Sequence, residues 1–311
     1  MNKIINFILT IILLGALAYV GYTIYQYLPA EKQILNIQTE AKLPEVNASS
    51  TVTQFVPNMR FAKSDLSYFF YPGCSQDKET RMKEAFSTIS SQTGIITFTE
   101  KTTLQEADIK IFCSEVQKEV KPNQFIAGEG GPDEFLNLSL YPLIVSGEIY
   151  LYDTLYRDKC DYPLVELHEL LHVFGFDHVN KKSSVLYPYY SCGQQLDSSI
   201  VNELIRIYSI TPKAELHFVN ASASKHGIYL DFKTPVENRG LIEAENVTIV
   251  LYSQGKEIAN FDMGNISPGT TKSITIQNQI LPSRSTSEIE FSTISNTQEY
   301  FSEDNQISAK L

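Results

Sequence analysis

The chain opens on an unbroken apolar stretch, with 27 consecutive uncharged residues between Lys3 and Glu31. At about 1.5 Å of rise per residue, a helix from Ile4 to Leu28 is long enough to cross a hydrocarbon core of roughly 30 Å. Residues 1–30 therefore read as an uncleaved membrane anchor. A cleaved secretory signal is the alternative, because Ala16-Leu17-Ala18 has the small-x-small form of a cleavage site. The anchor is preferred because apolar and aromatic residues continue from Tyr19 to Leu28, beyond the ~7–15 residues of a signal core. Residues 31–60 show no sustained period and carry scattered Pro, Ser and Thr, the composition of a stalk. The one stretch there that could hide a strand is 51–56.

From Asp65 the pattern sharpens. Leu66-Ser67-Tyr68-Phe69-Phe70-Tyr71 predicts a strand stopped by Pro72-Gly73. Asp77 then opens a helix with Met82, Ala85, Phe86 and Ile89 on one face, and Gly94 stops it. Short strands are predicted at 95–99, 109–113 and 148–152. Between the last two, residues 115–146 hold Gly128, Gly130, Gly131, Pro132 and Pro142 and have no helical period, so they read as a long loop with one edge strand. Helical spacing returns in Ile200, Val201, Leu204, Ile205 and Tyr208, capped by Asp197 and ended before Pro212. Beyond about residue 213 the texture is alternating strands at 247–252, 273–276 and 288–291, separated by polar turns, which predicts a small β-sandwich. The expected architecture is thus a mixed α+β fold: a transmembrane or signal segment over 1–30, a stalk over 31–60, an α+β domain over 61–211 and an all-β domain over 212–311.

Composition narrows the function. A 43% hydrophobic, 20% charged chain can bury a sizeable core. Its 36 acidic against 25 basic residues give a net charge of -11, which repels phosphate backbones and excludes a nucleic-acid partner. All four cysteines, Cys74, Cys113, Cys160 and Cys192, follow the apolar segment. An even count in an exported chain favours two disulfides with three connectivities. The preferred pairing is Cys74 with Cys113 and Cys160 with Cys192. It places the chain outside the cell, single-pass and membrane-bound, or secreted if the signal is cleaved.

The chemistry concentrates in His168-Glu169-Leu170-Leu171-His172-Val173-Phe174-Gly175-Phe176-Asp177-His178, which takes three of the five histidines. On a helix, His168 and His172 stand one turn apart on one face, so two imidazoles can approach one ion at ~2.0–2.1 Å. Gly175 can adopt the left-handed conformation that ends a helix and turns the chain back, bringing in His178 as a third ligand. Three histidines leave a fourth position for water, the signature of a catalytic rather than a structural zinc. Glu169, next to the first ligand, is the candidate general base for that water. No Gly-x-Ser-x-Gly elbow, phosphate-binding loop or Cys-x-x-Cys pair competes with this reading.

These eleven residues resemble the metzincin zinc-protease motif H-E-x-x-H-x-x-G-x-x-H. Ser184-Val185-Leu186-Tyr187-Pro188-Tyr189 is similar to the turn beneath the metal in the matrixin branch. The order of strands and helices over about 60–210 is also matrixin-like. Residues 236–269 resemble the immunoglobulin-like CARDB module of prokaryotic surfaces. The resemblance implies a zinc endopeptidase that binds an extended peptide or protein substrate along an edge strand, with Tyr187, Pro188 and Tyr189 walling a pocket. Leu186 departs from the family's methionine but keeps its apolar volume. Pro188 stands where some relatives carry a tyrosine ligand. A calcium ion near Gly128, Glu129 and Asp133 is a weaker expectation. The C-terminal domain is expected to position the enzyme or bind a surface partner. The alternative function is a surface adhesion or binding protein whose metzincin-like domain has lost catalysis, suggested by Leu186 and the appended sandwich; retention of Glu169 argues against it.

Overall fold

A computed structural model of the chain describes residues 2–35, 37–39, 52–121, 124–153 and 160–310. These fall into two compact units. One comprises Met1–Leu43, Ala214–Arg239 and Glu243–Leu311; the other is Pro44–Lys213 with Gly240–Ile242.

The first unit begins with helix α1 (Asn2–Tyr27), apolar on every face, solvent-exposed along nearly its whole length, and long enough to cross a membrane. A helix end leaves carbonyls without partners. Here Arg284 donates from Nη1 to the carbonyls of Tyr25 and Leu28 at 2.7 and 2.5 Å and lies over the Tyr25 ring. Two short strands follow, β1 (Gln33–Leu35) and β2 (Ile37–Thr39). They correct the stalk expectation for this stretch, because β1 pairs antiparallel with 223–225 and β2 with 307–309 of the C-terminal half. Three-residue strands carry too little alternation to register in a sequence; only their partners define them. The remainder of the expected stalk up to residue 51, apart from the described residues, lies outside the described chain.

The second unit is built on a mixed sheet. Its strands are β3 (Arg60–Phe61), β4 (Asp65–Phe70), β5 (Thr97–Glu100), β6 (Ile109–Cys113), β9 (Gly128–Leu136) and β10 (Leu143–Leu151), with a separate hairpin of β7 (Lys118–Lys121) and β8 (Gln124–Ile126). Strands β5, β4, β6 and β10 run parallel, and β9 lies antiparallel on the outer side of β10. Helix α2 (Gln76–Thr93) is capped by Ser75 and ended by Gly94 at φ 69°. Its Met82, Ala85, Phe86 and Ile89 are buried in one core with Leu66, Tyr68, Ile109, Ile111, Ile149 and Leu151 of the sheet. Helix α3 (Leu164–Val173) shares that core, and α4 (Ser198–Tyr208) closes it with Ile200, Leu204, Ile207 and Tyr208. Asp197 holds the N-cap position of α4 but its side chain bonds Lys181 instead of capping. The stretch 115–146, expected as a long loop with one edge strand, holds that edge strand as β9 and the β7–β8 hairpin besides. An edge strand needs no apolar alternation, and the glycines of β9 serve a close approach to α3.

After residue 213 come β11 (Leu216–Phe218), β12 (Ser222–His226), β13 (Tyr229–Asn238), β14 (Ala244–Ser253), β15 (Lys256–Ile266), β16 (Thr271–Ile280), β17 (Glu288–Ile294) and β18 (Gln306–Lys310). With β1 and β2 they form two five-stranded antiparallel sheets. Phe232 of β13 reaches across to Phe291 of β17 and Phe261 of β15 at ring distances of 4.9 and 5.4 Å, the centre of a sandwich core.

Glu215 is fully buried in this unit, and burial pushes its carboxyl up to about 8, with Asp304 and Glu299 acting in the same direction. A carboxyl raised on folding contributes stability that is complete below its ordinary value of 4.5 and is lost as pH rises through about 8. Glu215→Gln is therefore expected to flatten the decline in the sandwich's melting temperature between about pH 5 and about pH 9. An unchanged pH slope would count against this assignment.

Candidate metal centre

Helix α3 follows Pro163 and is buried on nearly all sides, with Leu164, Val165, Leu167, Leu170, Leu171 and Val173 each at most 1% exposed. It ends in a Schellman motif. The Gly175 amide donates to the His172 carbonyl at 2.8 Å and the Phe176 amide to the Leu171 carbonyl at 3.2 Å, with Gly175 at φ 81°. That left-handed residue reverses the chain and returns His178 toward the helix.

The three imidazoles meet. Nε2 of His172 lies 2.9 Å from Nε2 of His168 and 3.3 Å from Nε2 of His178, and the His168–His178 separation is 3.2 Å. A zinc bound at ~2.0–2.1 Å in tetrahedral geometry would set its nitrogens about 3.3 Å apart. On two of the rings the other nitrogen is committed: His168 Nδ1 to the Val185 carbonyl at 2.6 Å, and His172 Nδ1 to the Phe176 carbonyl at 2.7 Å. A carbonyl only accepts, so these Nδ1 atoms carry the protons and the two Nε2 atoms point lone pairs inward. Burial also holds both rings neutral, lowering His168 to about 3 and His172 in the same direction. Converging lone pairs at such distances repel unless a cation lies between them, so the donor set fits zinc. Among the described residues this trio is the one group of three or more ligating side chains that gathers in this way.

Glu169 is 6% exposed, and burial pushes its carboxyl up to about 8, with the Glu129 and Glu166 charges adding to the shift. β9 presses on it. A methyl at Gly128 would lie 2.6 Å from Glu169 Cγ, and one at Gly130 would lie 2.2 Å from the Glu169 carbonyl oxygen. Glycine at both positions is what lets an edge strand run against the helix.

The remaining candidates are placed as follows. Ser184–Tyr187 forms a turn closed by the Tyr187 amide on the Ser184 carbonyl at 3.1 Å, and Val185 in this turn holds His168. Leu186 is fully buried among the apolar residues of α3 and α4. Tyr187 and Tyr189 stand 5.8 Å apart by ring centre, and Pro188 and Tyr189 are exposed. Both disulfides form in the preferred pairing, Cys74–Cys113 and Cys160–Cys192. The calcium expectation finds no gathered site: Glu129 bonds Lys118 and Tyr152, Asp133 bonds Lys110 and Ser146, and Gly128 packs on Glu169. Because Leu186 is already an apolar fit, Leu186→Met should change stability by less than about 1.5 kcal/mol and leave zinc content unaltered, as read by thermal melting and metal analysis.

Sequence analysis marked 51–56 as a stretch that could hide a strand but gave Gln54 and Phe55 no role at the site. Gln54 bridges to Phe176 in antiparallel fashion, and the Phe55 ring stacks on His172 at 5.9 Å. The stretch names no partner, so nothing in it points to the histidines more than 110 residues on.

A twisted mixed sheet with an antiparallel edge strand over a helix bearing two histidines, and a third returned by a glycine turn, defines a metallopeptidase-type domain. Residues 60–209 match the matrixin family model and residues 214–307 match the CARDB model, which supports a matrixin-like metallopeptidase domain followed by a C-terminal CARDB domain. No curated protein matches the chain.

Proposed function

We propose that the protein is a zinc-dependent endopeptidase that hydrolyses peptide bonds of extracellular or cell-surface proteins. The observation that carries this reading is the convergence of three Nε2 atoms within 2.9–3.3 Å, with Glu169 following the first of them in the helix. His168, His172 and His178 would hold the ion. Bound zinc would supply a Lewis acid that polarises a carbonyl, lowers the pKa of a water toward ~7 and, by its charge, draws a neighbouring carboxyl back to its ionised form. Glu169, pinned by Gly128, accepts a proton from water and returns one to the leaving amine. β9 has no partner strand on its outer edge among the described residues, so an extended substrate can add there by backbone hydrogen bonds. Tyr187, Pro188 and Tyr189 wall the pocket for one substrate side chain, and buried Leu186 supports the metal site from below.

The test is digestion of a mixed peptide library by the full chain, with and without a chelator. Chelator-sensitive cleavage supports the reading, and a chain that binds zinc but cuts nothing favours the binding-protein alternative.

The two disulfides support an oxidising location, and α1 supports a membrane tether with the catalytic domain outside. Retention of the intact chain in carbonate-washed membranes would bear out the tether; a soluble product shortened by its first ~18–30 residues would indicate signal cleavage instead. The CARDB domain would position the enzyme or bind a surface partner.

A further inference from the structure

We propose that Thr53–Phe55 is a clasp for the metal centre, with Gln54 and Phe55 as positioning residues that set zinc affinity. The inference rests on the zinc reading above and adds residues outside the eleven-residue motif.

Only Phe174, Gly175, Phe176 and Asp177 separate the end of α3 from His178. Each is held by the segment 53–55. The Phe55 amide donates to the Gly175 carbonyl at 2.7 Å, the Asp177 amide donates to the Thr53 carbonyl at 2.9 Å, and Gln54 forms the bridge to Phe176 between them. The Gln54 side chain, 8% exposed, fixes the clasp from below, donating Nε2 to the Phe174 carbonyl at 3.0 Å and to the Met59 carbonyl at 2.9 Å. The clasp thus supplies a partner to Phe174 at the helix end, where carbonyls lose their intrahelical bonds. Met59, at the far end of this segment, puts its sulfur against Gly175, where a methyl would lie 2.7 Å away.

Two ligands depend on this strip. His178 is exposed and comes from a turn, so its position relative to α3 is as well defined as residues 175–177. His172 is held on its Nδ1 side by the Phe176 carbonyl, and its ring face is covered by Phe55 at 5.9 Å with planes 23° apart. Phe55 itself stays 48% exposed, so its ring adds little to the folding core. Partners that orient metal ligands typically alter metal affinity 10–100-fold when removed.

The experiment measures zinc affinity of the full chain by competition with a chromophoric chelator, the visible spectrum of the Co2+-substituted protein, and melting of the metal-free form. Phe55→Ala is expected to weaken zinc binding about tenfold and to alter the Co2+ spectrum, with the metal-free melting temperature near that of the parent; Phe55→Tyr should restore both. Gln54→Leu, which removes two buried bonds, should weaken zinc at least as much. If Gln54→Leu does not fold, the Phe55 pair decides the matter alone. Parent-like affinity and spectrum in Phe55→Ala, or a loss that tyrosine does not repair, would overturn the clasp. A parent chain that binds no zinc would instead overturn the metal reading itself, so the two failures are distinguishable.

Discussion

Glu169→Gln is expected to keep zinc bound and to lower peptide hydrolysis about 10²–10⁴-fold, the usual contribution of a positioned general base. Glutamine fills the same space between α3 and Gly128 but cannot take a proton, so fold and metal site persist while the chemistry stops. Metal content and peptide cleavage rate, measured on the same preparation, check this. Cleavage at the parental rate would mean that Glu169 does not handle the proton. A parallel loss of zinc would mean that the carboxyl supports the site structurally.

The second large effect concerns the glycines of β9. A methyl at Gly130 would lie 2.2 Å from a backbone oxygen, which cannot rotate away, so β9 must leave α3. Gly130→Ala should cost about 3 kcal/mol or more, the upper end for overpacking, and lower the melting temperature of this domain by roughly 6–12 °C. Gly128→Ala meets the side chain of Glu169, 2.6 Å from Cγ. That side chain can yield, so the domain should fold and bind zinc but hydrolyse peptide slowly, because the carboxylate is displaced. Gly131→Ala, with nothing within 4 Å of its would-be methyl, is the neutral control. Melting curves and cleavage rates of the three variants separate these outcomes. Parental activity in Gly128→Ala would show that the strand does not hold the carboxyl in place.

Much of this was legible in the chain because the relevant signals are local. Met82, Ala85, Phe86 and Ile89 mark α2 by helical spacing, Gly94 marks its end, and both appear as expected. The two histidines one turn apart and the glycine three residues on encode a helix and its reversal within eleven positions, so the meeting of three rings follows from sequence-local geometry. The preferred disulfide pairing is also the one that forms, although its partners lie 39 and 32 positions apart.

What the sequence by itself determined was therefore the anchor-like helix, the two-domain order, the three converging histidines and their neighbouring carboxyl. Tertiary structure alone decided that residues 33–35 and 37–39 complete the sandwich sheets, that the edge strand of the Gly-rich stretch is pressed on Glu169, and that Gln54 and Phe55 reach the centre. The physical reason is common to all three. A short strand, a glycine under a helix and a ring on a distant imidazole are defined by partners more than 30 residues away. Their own neighbours in the chain do not specify which distant partner they meet.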